Sequence, residues 1–181
     1  EEDLLVHYHL IVGSRGRLLR LGVSGLFALI AGLGVSGRWQ EWLLYTNRVD
    51  FGTVDAQFGR DIGFFVFQLP LLTFVVGWLF STLLVTLVVT SISHYLNGGI
   101  RFQTVGERVK PQVKAHLSVL LGVIALVKAA DYWLARFELT TSTRGVVDGA
   151  SYTDVKAELP ATNLLILISL LAVVLLLVNI R

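Results

Sequence analysis

Three stretches of this chain contain no Asp, Glu, Lys or Arg and are long enough, or nearly so, to cross a lipid bilayer. They are residues 21–37, 62–100 and 159–180. A spanning α-helix needs roughly 17 to 25 mainly apolar residues, because the hydrocarbon core is about 30 Å thick and a helix rises about 1.5 Å per residue. The first run is at the lower limit of this range. The pattern predicts membrane-spanning helices and argues against a soluble globule.

A fourth apolar stretch, residues 116–137, differs from the others because it contains Lys128 and Asp131. A charge near the middle of a spanning helix costs roughly 2.5 to 3.5 kcal/mol on insertion scales, so an unpaired one is rarely retained. Asp131 follows Lys128 by three residues, which places both side chains on one helix face and makes an intrahelical ion pair possible. The pair is the candidate site of the sequence, either as a structural ion pair or as part of a polar transport path.

The composition supports a membrane protein and narrows the possible chemistry. Hydrophobic residues make up 54% of the chain and charged residues 15%, which leaves too few polar side chains to cover a soluble surface. The small net charge of +2 argues against nucleic-acid binding. There is no cysteine, and no nucleophile elbow, HExxH motif or P-loop is present. We therefore expect no enzyme, no cofactor and no metal site. Because residue 1 is Glu1 and not methionine, we expect a segment of a longer protein.

Basic residues predict which loops face the cytoplasm. The segment at residues 101–114 contains four Lys or Arg, and the turn at residues 15–20 contains Arg15, Arg17 and Arg20. We expect an all-α, multi-pass bundle of about four spans in the plasma membrane, with both ends of the segment cytoplasmic. Residues 1–181 then form one transmembrane domain in this order: a cytoplasmic amphipathic segment at 1–17, a span at 18–37, an outer loop and interfacial segment at 38–69, a span at 70–96, the basic cytoplasmic loop at 97–113, a span at 114–136, an outer loop at 137–160 and a span at 161–180.

Two sets of residues predict how these spans pack and where they meet the membrane interface. Small residues recur at every fourth position of the first span and would let another helix approach closely. Aromatic residues at span ends are typical of the membrane interface. The predicted packing face is Ser24, Ala28, Gly32 and Ser36, and the predicted interfacial aromatic residues are Trp39, Trp42, Tyr45, Tyr132 and Trp133.

The two outer loops contain polar residues and turn formers. Asp50, Asp55 and Asp61 lie in the first loop, but their spacing is not that of an EF-hand, so a solvated loop is the favoured interpretation. In the second loop, we expect a short helix that Asp154 caps and Pro160 ends. At the end of the second span, the glycines that follow Asn97 predict a helix stop.

Four motifs in this order resemble a known family. They are FGTVDAQFGRDIGFFVFQLP at 51–70, HYLNGGIR at 94–101, HLSVLLGVIALVKAADYWLARF at 116–137 and YTDVKAELPA at 152–161. Together they are similar to UPF0182, an uncharacterised bacterial membrane family common in actinobacteria. The resemblance implies a larger protein, with further spans before this segment and a large extracytoplasmic domain after it. The family has no established activity, so it implies no catalytic residues. Ala135 stands where the family often has an acidic residue after the YWL triplet.

Two functional hypotheses follow from the sequence, and a membrane enzyme is a third with no motif to support it. The first is a non-enzymatic membrane scaffold that contacts the lipid bilayer, anchors an extracytoplasmic domain and packs with other membrane or envelope proteins. The alternative is a transporter or channel component in which Lys128 and Asp131 line a polar path. The alternative requires polar residues at the same depth in other spans, where the sequence offers Ser81, Thr82, Thr86 and Ser169.

Overall fold

The described part of the chain is a series of helices and the segments that connect them. The computed structural model describes residues 16–101, 109–143 and 148–180, apart from the side chains at 17, 19 and 20. The predicted amphipathic segment at 1–17 therefore lies almost wholly outside the described residues. The five α-helices of the described ranges are α1 (Gly16–Ser36), α2 (Trp39–Thr46), α3 (Leu69–Leu96), α4 (Pro111–Glu138) and α5 (Leu159–Val178).

The predicted all-helical architecture is confirmed for the described residues. Three helical stretches are long and apolar enough to cross a membrane: Phe64–Leu96, Pro111–Thr141 and Asp154–Val178. A fourth is present if Leu21–Ser36 and Trp39–Thr46, which are bent by 56° relative to each other, count as one broken span. The described chain therefore contains three to four helices of spanning length and composition.

Helix α4 is the centre of the bundle because it packs against both α3 and α5. Its last turns form a small core with the residues that lead into α3. The buried members of this core are Phe64, Leu69, Leu134 and Phe137. Elsewhere most apolar side chains of α1 and α5 are exposed, and so are several of α3. The core therefore holds together the end of the bundle at which α3 begins and α4 ends.

The turn after α3 fixes the α3–α4 hairpin. Gly98 adopts a φ of 64° and its N–H donates to the Tyr95 carbonyl at 3.0 Å. The Gly99 N–H donates to the His94 carbonyl at 2.8 Å, which completes a Schellman motif. A Cβ on Gly99 would lie 2.8 Å from Val113 Cγ2, so only glycine fits where α4 approaches the turn. The predicted glycine stop is confirmed.

Two π-helical turns lead directly into α3 and α5. They are Phe64–Gln68 and Asp154–Glu158, and each is closed by a leucine N–H that donates five residues back, from Leu69 to Phe64 and from Leu159 to Asp154. Each of these leucines precedes a proline, which lacks an N–H and crowds the carbonyl four residues earlier. The wider turn accommodates the proline, and the helix continues through it.

The start of the second of these helices corrects a sequence prediction. Ser151 Oγ accepts from the Asp154 N–H at 3.2 Å, and the Ser151 N–H donates to Asp154 Oδ2 at 2.8 Å. This reciprocal arrangement is a capping box in which Ser151 is the cap and Asp154 its partner three residues later. The prediction that Pro160 ends a short helix is wrong, because the π turn carries the helix past the proline into α5.

Candidate functional site

Lys128 and Asp131 form an ion pair on the surface of α4. Lys128 Nζ donates to Asp131 Oδ2 at 2.6 Å. The two side chains are 34% and 31% exposed, so both are about two-thirds covered by protein. The pair neutralises the two charges within one helix turn, as the three-residue spacing allows.

Aromatic rings lie beside the ammonium group of this pair. Lys128 Nζ lies 4.6 Å from the ring centre of Tyr132 and 5.2 Å from that of Phe80. Both distances are in the range of cation–π attraction. Phe80 belongs to α3 and is the middle residue of the spanning stretch Phe64–Leu96. The ammonium group therefore faces the middle of the neighbouring helix.

Two of the hydroxyl groups that a transport path would need donate hydrogen bonds to backbone carbonyls of their own helix. Ser81 Oγ donates to the Gly77 carbonyl at 2.9 Å, and Thr86 Oγ1 donates to the Thr82 carbonyl at 2.8 Å. In the described ranges, no third polar side chain hydrogen-bonds to Lys128 or Asp131. Thr73 Oγ1 is buried and has no hydrogen-bond partner among the described residues.

The small residues of α1 lie on an exposed surface. Ser24, Ala28, Gly32 and Ser36 are all exposed, and a Cβ on Gly32 would have nothing within 4 Å. Trp78 Nε1 of α3 donates a hydrogen bond to the Ala31 carbonyl of α1 at 3.2 Å. The use of the small residues as a packing face stays a prediction.

The predicted interfacial aromatic residues gather near the end of the bundle where α4 ends. Helix α2, which contains Trp39, Trp42 and Tyr45, packs against the turn Phe64–Gln68. The Phe64 and Trp133 rings both contact Phe137, with ring centres 5.2 and 5.0 Å away. Tyr132 differs from the others because its ring contacts Lys128. Their position at a membrane interface stays a prediction.

Comparison with known proteins places the chain in a family. The family model described as "Uncharacterised protein family (UPF0182)" matches residues 1–181. The chain belongs to the UPF0182 family. This confirms the resemblance inferred from the four motifs.

Several UPF0182 proteins of actinobacteria are similar to this chain over nearly its whole length. A UPF0182 protein of Frankia alni is 49% identical over 99% of the chain, and one of a Nocardioides species is 42% identical over 99%. A UPF0182 protein of Streptomyces coelicolor is 36% identical over 97% of the chain. The chain spans only 18% of the length of each of these relatives. No solved structure matches the chain.

The structure of this UPF0182 segment also brings together two histidines that the sequence places near the adjoining ends of the two middle spans. His94 Nε2 and His116 Nδ1, at the facing ends of α3 and α4, are 3.0 Å apart. A structural metal site needs more ligands than two imidazoles. In the described ranges, no group of three or more His, Cys, Asp or Glu side chains is placed to hold a metal ion.

Asp61 organises the first loop, which the sequence predicted only as solvated. Its carboxylate accepts backbone N–H groups from Phe51 at 3.0 Å, Gly52 at 2.9 Å and Gly63 at 2.7 Å. These backbone hydrogen bonds, that of Phe51 foremost, lower the pKa of Asp61. Asp55 Oδ2 similarly accepts from the backbone of Gln57 and Phe58. Both carboxylates therefore serve to fold the loop.

Proposed function

We propose that this chain is the membrane-embedded part of a non-enzymatic scaffold that anchors an extracytoplasmic domain and packs with other membrane or envelope proteins. The observation that carries the proposal is the exposure of apolar side chains along helices of spanning length. Leu33, Leu167 and Val178 are 72%, 64% and 66% exposed. Continuous apolar surface on this scale needs lipid or protein to cover it.

The closed ion pair supports a structural role for Lys128 and Asp131. Both charges are satisfied within α4 by a 2.6 Å contact, and aromatic rings pack beside the ammonium group. Because α4 lies between α3 and α5, a neutralised charge there allows the central helix to keep its place in an apolar bundle. This arrangement favours a scaffold over a site that binds and releases an ion.

The length of the relatives supports the proposed anchoring role. UPF0182 proteins at 36% to 49% identity extend well beyond the matched region, which is only 18% of each. A helical segment within a much longer chain is consistent with the membrane domain of a protein that has further domains. The plasma membrane, with residues 97–113 on its cytoplasmic side, is the proposed location because that loop is basic.

Transport is the second candidate, and two observations favour it. Lys128 faces Phe80 at the middle of Phe64–Leu96. Thr73, seven residues before Phe80 and so on the same face of α3, has a buried hydroxyl oxygen without a partner in the described ranges. A polar path along the contact between α3 and α4 would pass both positions.

A flux experiment separates the two functions. The intact protein and its Lys128→Leu/Asp131→Leu double variant are reconstituted in phosphatidylcholine vesicles, with Lys114→Leu on the exposed first turn of α4 as the matched control. A dye inside the vesicles reports proton entry, and a second dye reports potassium entry. The scaffold proposal expects the same background flux in all three proteins. Flux that the double variant loses while it floats with the vesicles would establish transport and reject the scaffold.

A further inference from the structure

Two arginine side chains lie against the same pair of aromatic rings at the end of the bundle where α4 ends. Arg60 Cζ lies 5.6 Å from the Trp133 ring centre and 5.2 Å from that of Phe137. Arg136 Cζ lies 5.7 and 5.5 Å from the same two ring centres. Arg60 comes from the first loop and Arg136 from α4, so the fold brings together two positive charges that are far apart in sequence.

Neither arginine is neutralised by the described part of the protein. Among the described residues, ion pairs form between Arg38 and Glu41 and between Lys128 and Asp131, but neither Arg60 nor Arg136 has a carboxylate there within ion-pairing distance. The acids nearest Arg60 in sequence, Asp55 and Asp61, accept backbone N–H groups instead. The two guanidinium groups carry the same charge and lie beside the same Phe137 ring, so they repel each other.

The hydrogen bonds of the two guanidinium groups leave donors available. Arg136 Nη1 donates to Asn163 Oδ1 at 3.1 Å, and its Nε approaches the Trp133 carbonyl at 3.4 Å. In the described ranges, the Arg60 guanidinium makes ring contacts but no side-chain hydrogen bond. Stacking on a ring face keeps a guanidinium group flat and leaves its N–H edge open. The open edges suit an oxyanion that two arginines can share.

We propose that Arg60 and Arg136 together bind a phosphate group, that of an anionic phospholipid at the membrane surface. A phosphate oxyanion accepts paired N–H donors from guanidinium groups and would remove the repulsion between the two charges. Arg60 is exposed and Arg136 is half-buried, so the ligand reaches the pair from the outside of the bundle. The neighbouring Trp133 is of the residue type that lies at the headgroup level of a bilayer.

The site rests on the proposed membrane location, because a headgroup reaches the two arginines only if the helices are embedded. Arg48 provides a matched control within the same loop. Its Cζ lies 5.3 Å from the Tyr45 ring, and its Nη1 approaches the Tyr45 carbonyl at 3.4 Å. It therefore has the same charge and a similar ring contact, but no second arginine on its ring in the described ranges. Its substitution changes the net charge as much as a substitution of Arg60 does.

The test uses thermal unfolding of the intact protein in nanodiscs of defined composition. One set contains only phosphatidylcholine, and the other contains phosphatidylcholine with about one-third phosphatidylglycerol. The proteins compared are wild type, Arg60→Gln, Arg136→Gln, the double variant and Arg48→Gln. The measured quantity is the difference in melting temperature between the two discs for each protein. Each variant is thus its own reference, even where the substitution lowers the stability of the fold.

The expected result is a rise of several degrees with phosphatidylglycerol for wild type and Arg48→Gln. In each single Arg60 or Arg136 variant, this difference in melting temperature should be at most half of that in wild type. The double variant should show no smaller a difference than the single variant with the larger effect. Equal melting temperatures in the two discs for wild type would overturn the proposal, as would an equal loss in Arg48→Gln.

A further arm distinguishes the source of the phosphate. Inorganic phosphate is added at millimolar concentration to wild type in discs of phosphatidylcholine alone. No rise in melting temperature supports the lipid headgroup as the ligand. A rise that Arg60→Gln removes would overturn the lipid assignment in favour of free phosphate. Flotation with phosphatidylcholine vesicles is measured separately, so a protein that fails to float rejects the membrane proposal and not the arginine site alone.

Discussion

The ammonium nitrogen of Lys128 lies 5.2 Å from the centre of the Phe80 ring, on the helix that precedes its own in the hairpin. Phe80 is halfway along its spanning stretch, so a charged group on α4 faces the middle of α3. The contact, together with the ion pair to Asp131, gives the lysine of α4 partners at this level.

Removal of the Phe80 ring should weaken this contact. In Phe80→Leu, Lys128 keeps its ion pair but loses a cation–π partner that is worth about 0.5 to 2 kcal/mol. We expect a lower melting temperature in a bilayer for Phe80→Leu, and near-native stability for Phe80→Tyr, which keeps the ring. The control is Phe67→Leu, since Phe67 stacks on Phe51 and does not contact Lys128. Equal stability of Phe80→Leu and wild type would contradict the assigned contact.

The hairpin turn makes a steric prediction. In Gly99→Ala, the added methyl group would lie 2.8 Å from Val113 Cγ2 and 3.1 Å from the His94 carbonyl oxygen. Overpacking of this kind typically costs about 1 to 3 kcal/mol. Gly77→Ala is the matched control, because its Cβ would meet nothing within 4 Å and alanine favours a helix by about 0.5 to 1 kcal/mol. The melting temperature should fall in Gly99→Ala and rise in Gly77→Ala. Adding Val113→Ala to Gly99→Ala should restore part of the lost stability.

The first loop should depend on the charge of Asp61. Backbone hydrogen bonds from Phe51, Gly63 and Gly52 lower its pKa below the ordinary value of 3.8. Since the folded pKa is the lower one, the stabilisation is present above the ordinary pKa of 3.8 and is lost as the pH falls through the folded pKa. Protease cleavage of the loop should increase at acid pH in wild type. In Asp61→Asn it should be high at every pH, whereas the exposed Asp50→Asn should resemble wild type.

The topology can be tested directly because the chain has no native cysteine. We expect Ser142→Cys, after α4, to react with a membrane-impermeant maleimide added outside intact cells. Asn97→Cys, after α3, should react only once the cells are permeabilised. External labelling of Asn97→Cys with protection of Ser142→Cys would reverse the proposed orientation and place the basic loop outside.

The sequence predicted the helices well because their signal is local. An uncharged apolar run of sufficient length has few alternatives to a helix, and the α3 stop followed from two adjacent glycines. The continuation of the helix past Pro160 was missed, because a π turn depends on which carbonyl the preceding leucine finds as its acceptor. A proline is an ordinary helix-breaking signal when it is considered without that turn.

The contacts between distant residues were harder to predict. The Lys128–Asp131 spacing made an ion pair possible, but the sequence could not show that Phe80 lies across from it, because that depends on how α3 and α4 pack. The arginine pair was also missed. Arg60 and Arg136 lie against the same ring because the first loop folds around Asp61 and packs on Phe137 of α4.

A double-mutant cycle on Lys128 and Asp131 in a bilayer tests the central claim, that these charges form a structural pair in a membrane scaffold. Asp131→Leu leaves a lone lysine. On insertion scales, a lone charge at a helix centre raises the free energy of insertion by up to about 2.5 to 3.5 kcal/mol. We predict that each single variant is less stable than the double variant, with a coupling of at least about 1 kcal/mol. Additive effects of the two substitutions, with no coupling, would contradict the claim.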